Sequence, residues 1–215
     1  MKLFKLASLV VLATMVLASA ASAVVYDITA DFSIDNGNPN GAWSYGWAPL
    51  DFSAFNLYTN HGPNGNGLSW YGWGADQSPS VWKNTSWPVN EVPSGWVSIH
   101  PGNGCEPSIA RWTAPAGVTG TATITGLFLP GDSGREQVAV RKNNTEIWHA
   151  VDSGIFDLVT AVTPGDTIDF AVYAAYAGGN TPVNATISVV PEPSTLLTLL
   201  SGIGGLGGLM WRRRK

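Results

Sequence analysis

The chain is short of several things. It has one cysteine in 215 residues, Cys105, so no internal disulfide is available to hold the fold together. Charge is scarce, at 12% of residues, and unevenly placed. Six of the eleven basic residues lie at the two ends: Lys2, Lys5, Arg212, Arg213, Arg214 and Lys215. Residues 24–189 keep five basic and fourteen acidic side chains, a formal charge of −9. A nucleic-acid partner needs clustered basic charge, so this composition argues against one. The three histidines, His61, His100 and His149, are far apart, and no His-Glu-x-x-His, Gly-x-Ser-x-Gly or paired-cysteine motif occurs. Glycosidases need two carboxylates at a set separation, and nothing singles out such a pair among the acids. The expectation is a protein that is not an enzyme. Long apolar runs are also missing, except near the two termini.

The N-terminal run has a charged start at Lys2 and Lys5, an apolar stretch from Leu6 to Leu17, and small residues from Ala18 to Ala23. That order is a secretory signal peptide, residues 1–23. The apolar stretch is shorter than the roughly 20 residues a spanning helix needs. Ala21-Ser22-Ala23 fits the cleavage pattern and puts the mature start at Val24, with Ala18-Ser19-Ala20 as an alternative site. At the other end, residues 195–211 carry no charge and are just long enough to span a bilayer. The basic cluster 212–215 follows directly and would hold the tail on the cytoplasmic side. Gly202-Ile203-Gly204-Gly205-Leu206-Gly207 matches the dinucleotide fingerprint, yet the chain ends eight residues later, without the helix and acidic residue that motif requires.

Pro191-Glu192-Pro193, the Gly-rich apolar segment and the cluster from Arg212 through Arg213 and Arg214 to Lys215 come in the order of a PEP-CTERM sorting signal, which residues 190–215 resemble. The resemblance implies export, a C-terminal transmembrane anchor and an exosortase-type membrane protease as partner. It also implies an association with extracellular polysaccharide, at the cell surface or in the extracellular matrix. Pro191, Glu192, Pro193 and the arginines are recognition residues under that reading. The signal says nothing about the domain it carries.

That domain, residues 24–189, reads as all-β. From Thr121 onward the apolar residues alternate: Ile124 and Phe128, Val138 and Val140, Phe156 and Leu158, Ile168, Phe170 and Val172, then Ile187. Asn143-Asn144 predicts a tight turn, because Asn tolerates positive φ, and "TPGDT" from Thr163 predicts another. The expectation is a single antiparallel β-sandwich, jelly-roll-like, lying between the signal peptide and the C-terminal transmembrane helix. The pattern from Ile99 to Phe128 and from Gly165 to Val172 resembles the jelly-roll sandwiches of galactose-binding-like and carbohydrate-binding modules. That likeness implies a fold and brings no binding motif with it.

The first half of the domain is different in kind. Seven tryptophans lie between Trp43 and Trp96, with only four charged residues among them: Asp51, Asp76, Lys83 and Glu91. Short strands joined by long loops are expected here, with the loops gathered at one end. Tryptophan can stack on a sugar ring and bond at its edge, and it can equally fill a core. The glycan reading puts ligand contacts among Trp43, Tyr45, Trp47, Trp70, Tyr71 and Trp73, with Asn60, His61 and Asn64 as hydrogen-bond partners. Trp70 and Trp73 would point to opposite sides of their stretch, one to the core and one to solvent. The other reading leaves a structural surface protein with no ligand. Asp31, Asp35, Asn36 and Asn38 are a candidate calcium cluster, rich in the oxygens calcium takes, although the same composition is ordinary in turns.

Overall fold

The computed structural model describes residues 22–132, 135–174 and 179–191. The signal peptide, apart from its last two residues, and the tail from Glu192 onward, including the spanning segment and basic cluster, lie outside the described residues. Among the described residues there is no helix, and none therefore long and apolar enough to cross a membrane. Residues Val24–Val189 form one compact unit.

Fourteen strands are described. The first six are short: Val24–Asp27 (β1), Trp43–Trp47 (β2), Asn56–Leu57 (β3), Asn60–Pro63 (β4), Gly67–Tyr71 (β5) and Ser80–Asn84 (β6). Then come Val97–His100 (β7), Ser108–Thr113 (β8), Gly120–Phe128 (β9) and Gln137–Lys142 (β10). Thr145–Val151 (β11), Gly154–Val162 (β12), Thr167–Tyr173 (β13) and Thr181–Pro191 (β14) complete the chain. One sheet runs β12-β9-β14-β7-β6-β5-β4, with β1 also paired to β14. The other runs β11-β10-β13-β8-β2-β3, and every register described is antiparallel.

The order defines the topology. From β7 to β14 the chain alternates between sheets, with one hairpin, β10–β11, staying in place. Four strands stack as β12-β9-β14-β7 over four as β11-β10-β13-β8. That is an eight-stranded jelly roll, two Greek keys wrapped on each other. The earlier strands extend it: β2 and β3 lengthen one sheet past β8, and β6, β5 and β4 lengthen the other past β7.

The core follows from period-two alternation. Ile124, Phe128, Val138, Val140, Phe156, Ile168, Phe170, Val172 and Ile187 are all buried between the sheets, while Leu158 is half-buried at its edge. Gly126 lies on the same face as Ile124 and Phe128, and a Cβ there would stand 2.7 Å from the Phe156 ring, so glycine makes the room that ring uses. The predicted turns form as their chemistry requires. Asn143 and Asn144 both take positive φ, and Asp166 closes the 163–166 turn by accepting from Thr163 N at 2.9 Å. Two of the first-half tryptophans also join this core: Trp43 and Trp70 lie in it with Tyr45 and Tyr58, beside Trp112 from β8. Ile147, His149 and Val151, by contrast, lie exposed on the outward side of β11.

Loops from the extension cover both outer sheet faces. Phe55 in the loop after β2 packs under the Arg111 guanidinium at 3.9 Å, and Phe52 under Arg141 at the same distance. Arg111 is held in place by the buried Asp169, through bonds of 2.6 and 2.8 Å. This strap buries Ile109 and Ala171 on the outside of their sheet.

Candidate functional site

The second outer face carries a groove. On β5, β6 and β7 the inward residues are Trp70, Val81 and Ile99, aligned across the strands. The outward row next to it is Ser69, Trp82, Ser98 and Pro182, and the row beyond is Tyr71, Ser80 and His100. An outward row of a two-layer sandwich normally meets solvent. Here Ser69, Ser80, Trp82 and Ser98 are all buried, because chain from both ends of the strands folds over them.

The result is a cavity of about 260 Å³. Its strand residues are Ser69, Ser80, Trp82 and His100. Its rim is Asn64 and Asn66 from the β4–β5 turn, Asp76, Gln77 and Ser78 from the β5–β6 loop, Asn90 from the β6–β7 loop, and Asn180 before β14. Each wall is braced by its own chemistry. Gln77 takes positive φ and donates from Nε2 to Pro63 O at 3.2 Å, which folds its loop back toward β4. Asp76 Oδ1 accepts from Ser78 Oγ at 2.7 Å. Asn84 is fully buried and organises the β6–β7 loop, donating to Trp87 O and Val92 O and accepting from Ser86 N. Trp82 Nε1 donates to Asn180 Oδ1 at 3.0 Å. His100 Nδ1 lies 2.7 Å from Pro101 O, an atom that can only accept, so the proton sits on Nδ1.

The lining is almost free of charge. Among the described residues, Asp76 is its one carboxylate, and no lysine or arginine lines it. Asn64 Oδ1 and Gln77 Oε1 are buried acceptors with no hydrogen-bond partner among the described residues, and Ser98 Oγ in the adjoining floor row lacks one there too. Buried acceptors without donors are rare and costly. The groove is thus rich in amides and hydroxyls, walled on one side by an indole, and short of donors.

The structure redistributes the residues picked from sequence. Trp43, Tyr45 and Trp70 are 1%, 0% and 3% exposed, so they are core and not contact rings. The stretch 43–47 is an extended strand, and the face that Trp43, Tyr45 and Trp47 share turns inward. The indoles also fasten the N-terminal segment: Trp43 Nε1 donates to Asp31 Oδ2 at 3.0 Å and Trp70 Nε1 to Ser33 O at 2.8 Å. Trp73 is 54% exposed and meets the half-buried Trp47 edge-to-face at 4.8 Å. Tyr71 is half-buried on the outward row. Asn60 and His61 sit on the edge strand β4, Asn60 donating to Gly72 O and the His61 ring against Trp70 at 4.8 Å. Only Asn64 of the nine lines the groove.

The calcium cluster does not form. Asp31 Oδ2 is taken by Trp43 Nε1 and by Asp27 N, and Asn38 spends its amide on Tyr45 and Tyr58 backbone. Asp35 and Asn36 point into solvent, and among the described residues no group of three His, Cys, Asp or Glu is placed to hold a metal. The loops also do not gather at one end, since the groove's walls come from both. Ser69, Ser80, Asn90 and Asn180 are groove residues that no sequence motif marks, and Trp82 and His100 are not among the contact residues expected from the sequence. The signal for the groove was an aromatic on the polar parity of a strand: Ser80, Trp82 and Asn84 alternate with Val81.

The molecule is thus a jelly-roll-like antiparallel β-sandwich with a polar groove on the outer face of its larger sheet. Its C-terminus carries a PEP-CTERM protein-sorting motif, matched over residues 189–215. A sorting motif of this kind belongs to chains sent for export and attached to the membrane at the C-terminus. No curated protein matches the sequence. Solved structures give faint likenesses. A family 35 carbohydrate binding module from Clostridium thermocellum is 13% identical over 43% of this chain and 75% of its own, with a TM-score of 0.30. Pika GITRL is 17% identical over 54% of this chain and 93% of its own, at 0.30. The Arthrobacter globiformis T6 isomalto-dextranase complexed with panose is 15% identical over 80% of this chain, which spans 33% of that protein, at 0.33. At such scores and identities these likenesses transfer neither ligand nor activity.

Proposed function

We propose that this is an exported, surface- or matrix-associated protein whose sandwich binds a neutral glycan in the outer-face groove, without catalysing a reaction on it. The observation that supports the reading is the lining: among the described residues it has amide and hydroxyl side chains beside an indole, one carboxylate, no cation, and acceptors still lacking donors. Sugar hydroxyls donate and accept at short range, and so match a surface that needs both. A single carboxylate in the lining supports a binding role, since glycoside hydrolysis calls on two. The volume lies below the roughly 300–1,000 Å³ of pockets that bury a drug-sized ligand, so the groove takes one or two sugar rings of a longer chain. The terminal signals belong to the same reading. The signal peptide exports the chain, the segment 195–211 anchors it, and an exosortase-type protease recognises Pro191-Glu192-Pro193 and processes the tail.

Titration of the chain with glucan, mannan and galactan oligosaccharides, followed by tryptophan fluorescence, tests the proposal. Binding is expected to be lost or weakened in Asn64→Ala and Gln77→Ala, and to change little with salt, because no cation takes part. An unresponsive groove across the whole panel would leave the alternative, a structural surface or biofilm-matrix component with no ligand.

A further inference from the structure

Asn180 stands between two groups whose hydrogen-bonding roles are fixed. An indole N–H can only donate, and Trp82 Nε1 gives its proton to Asn180 Oδ1 at 3.0 Å. A carboxylate can only accept, and Asp132 accepts twice from the same residue: Oδ1 from Asn180 N at 2.7 Å and Oδ2 from Asn180 Nδ2 at 3.1 Å. The two ends of a carboxamide are nearly equal in size, so shape does not choose its orientation. The neighbours choose it. Only with Nδ2 toward Asp132 and Oδ1 toward Trp82 are all three contacts donor-to-acceptor.

We infer that Asp132 is a positioning residue for the groove: by setting the Asn180 amide it holds the Trp82 indole in place. Asp132 is exposed, lies in the β9–β10 loop and is not part of the groove lining, so its effect on a ligand would pass through the two residues between. The relay explains the residue types. Glutamine at 180 would overshoot, serine could not serve both neighbours across this span, and aspartate would face Asp132 with like charge. The inference deepens the glycan reading and rests on it for its functional consequence, but the relay itself can be read in the unliganded protein.

A swap tests it. In Asp132→Asn, the new amide sets its NH2 against Asn180 Nδ2 or against the Asn180 backbone N–H, or else forces the Asn180 amide to flip and set Nδ2 against the indole N–H; every arrangement puts donor against donor. In Asn180→Asp, two carboxylates meet. In the double variant the roles are exchanged and every contact is restored: the amide now at position 132 donates to one oxygen of the carboxylate now at position 180, and the other oxygen accepts from Trp82. The full-length chain of each variant is compared by NMR, with the Trp82 Nε1–H resonance identified by its loss in Trp82→Phe. Each single variant is expected to shift or broaden that resonance and to weaken oligosaccharide binding about tenfold. The double variant returns both to the parent values. A resonance unmoved by the single changes, or not restored by the swap, overturns the relay. A resonance that responds while glycan affinity stays constant overturns its role in recognition. A resonance that behaves as expected in a protein binding no oligosaccharide of the panel upholds the relay and removes the glycan reading instead.

Discussion

The jelly roll of β7 to β14 and the extension of β1 to β6 obey the same alternation and put it to different use. In the jelly roll, the outward residues of β9 are Thr121, Thr123 and Thr125, partly or fully open to water, and those of β12 are Ile155 and Val159, at 79% and 68% exposure. In the extension and the strand it joins, Ser69, Ser80, Trp82 and Ser98 point outward and are buried all the same. The difference lies in the connections. The jelly roll's one hairpin turns tightly at Asn143-Asn144 and leaves its outer side open, whereas the extension's β5–β6 and β6–β7 loops, residues 72–79 and 85–96, fold back over the sheet. A strand roofed in this way needs small polar residues with hydrogen-bonding capacity on its outer side, and that same requirement yields a lined groove.

Substitutions break or sharpen this contrast. The largest effect is expected at rings buried between the sheets in either region: Phe170→Ala and Trp43→Ala should each destabilise by about 3–5 kcal/mol, read by chemical denaturation. Trp73→Ala, at the exposed ring, should cost a small fraction of that. If Trp43→Ala proved as mild as Trp73→Ala, the extension would not be part of the same core. Next comes Asn84→Ala, which removes the bonds organising the β6–β7 loop. It should cost about 1–3 kcal/mol for the groups left unpaired, and glycan affinity should fall with it because Asn90 belongs to that loop. The groove variants Asn64→Ala and Gln77→Ala come third. Asn64→Ala should leave the thermal midpoint near the parent's, because the acceptor it removes lacks a partner, whereas Gln77→Ala should lower it slightly through loss of the bond to Pro63 O; binding weakens in both.

The smallest effect is one of pH and belongs to the jelly roll's turns. The Asn143 amide, at 2.8 Å, and Thr163 N hold the Asp166 carboxyl below its ordinary range, against a smaller opposing effect of burial and with help from Lys142. A lowered folded value stabilises above the unfolded value of about 4 and loses that benefit as pH falls through the folded one. Asp166→Asn should therefore lower stability by less than about 1 kcal/mol at neutral pH, and the gap to the parent should close in acid, as denaturation at stepped pH would show.

The same contrast explains what could be read in advance. On β9 and β12 one face is dry and the other wet, so hydrophobic alternation reports burial directly; Phe156 could be assigned from pattern, Ile168 and Phe170 from the same parity on β13 although the strap also covers Ala171 on its outer side, and the two turns from Asn and Gly chemistry. In the extension both faces are covered. Tryptophan at Trp43, Trp70 and Trp82 then means three different things: a core ring tied to Asp31, a core ring tied to Ser33, and a groove wall tied to Asn180. Composition cannot separate them, because what decides is which loop returns over which row. Asp31 and Asn38 misled for a related reason. Side chains with spare oxygens suit a cation, but they also suit backbone amides and indole N–H groups, and here the protein supplies its own donors.

The placing of β14 bears on how the chain reaches its fold. The last strand lies inside the larger sheet, between β9 and β7, and it also takes β1, the first strand, as a partner. Contacts this distant in sequence form late and slowly. A chain that emerges N-terminus first would present β1 long before its partner exists, and β7 and β9 would wait as open edges. The sheet could close only once residues 181–189 had arrived. Until then the polypeptide would stay extended enough to be threaded, and the last strand to appear would be the one that locks it.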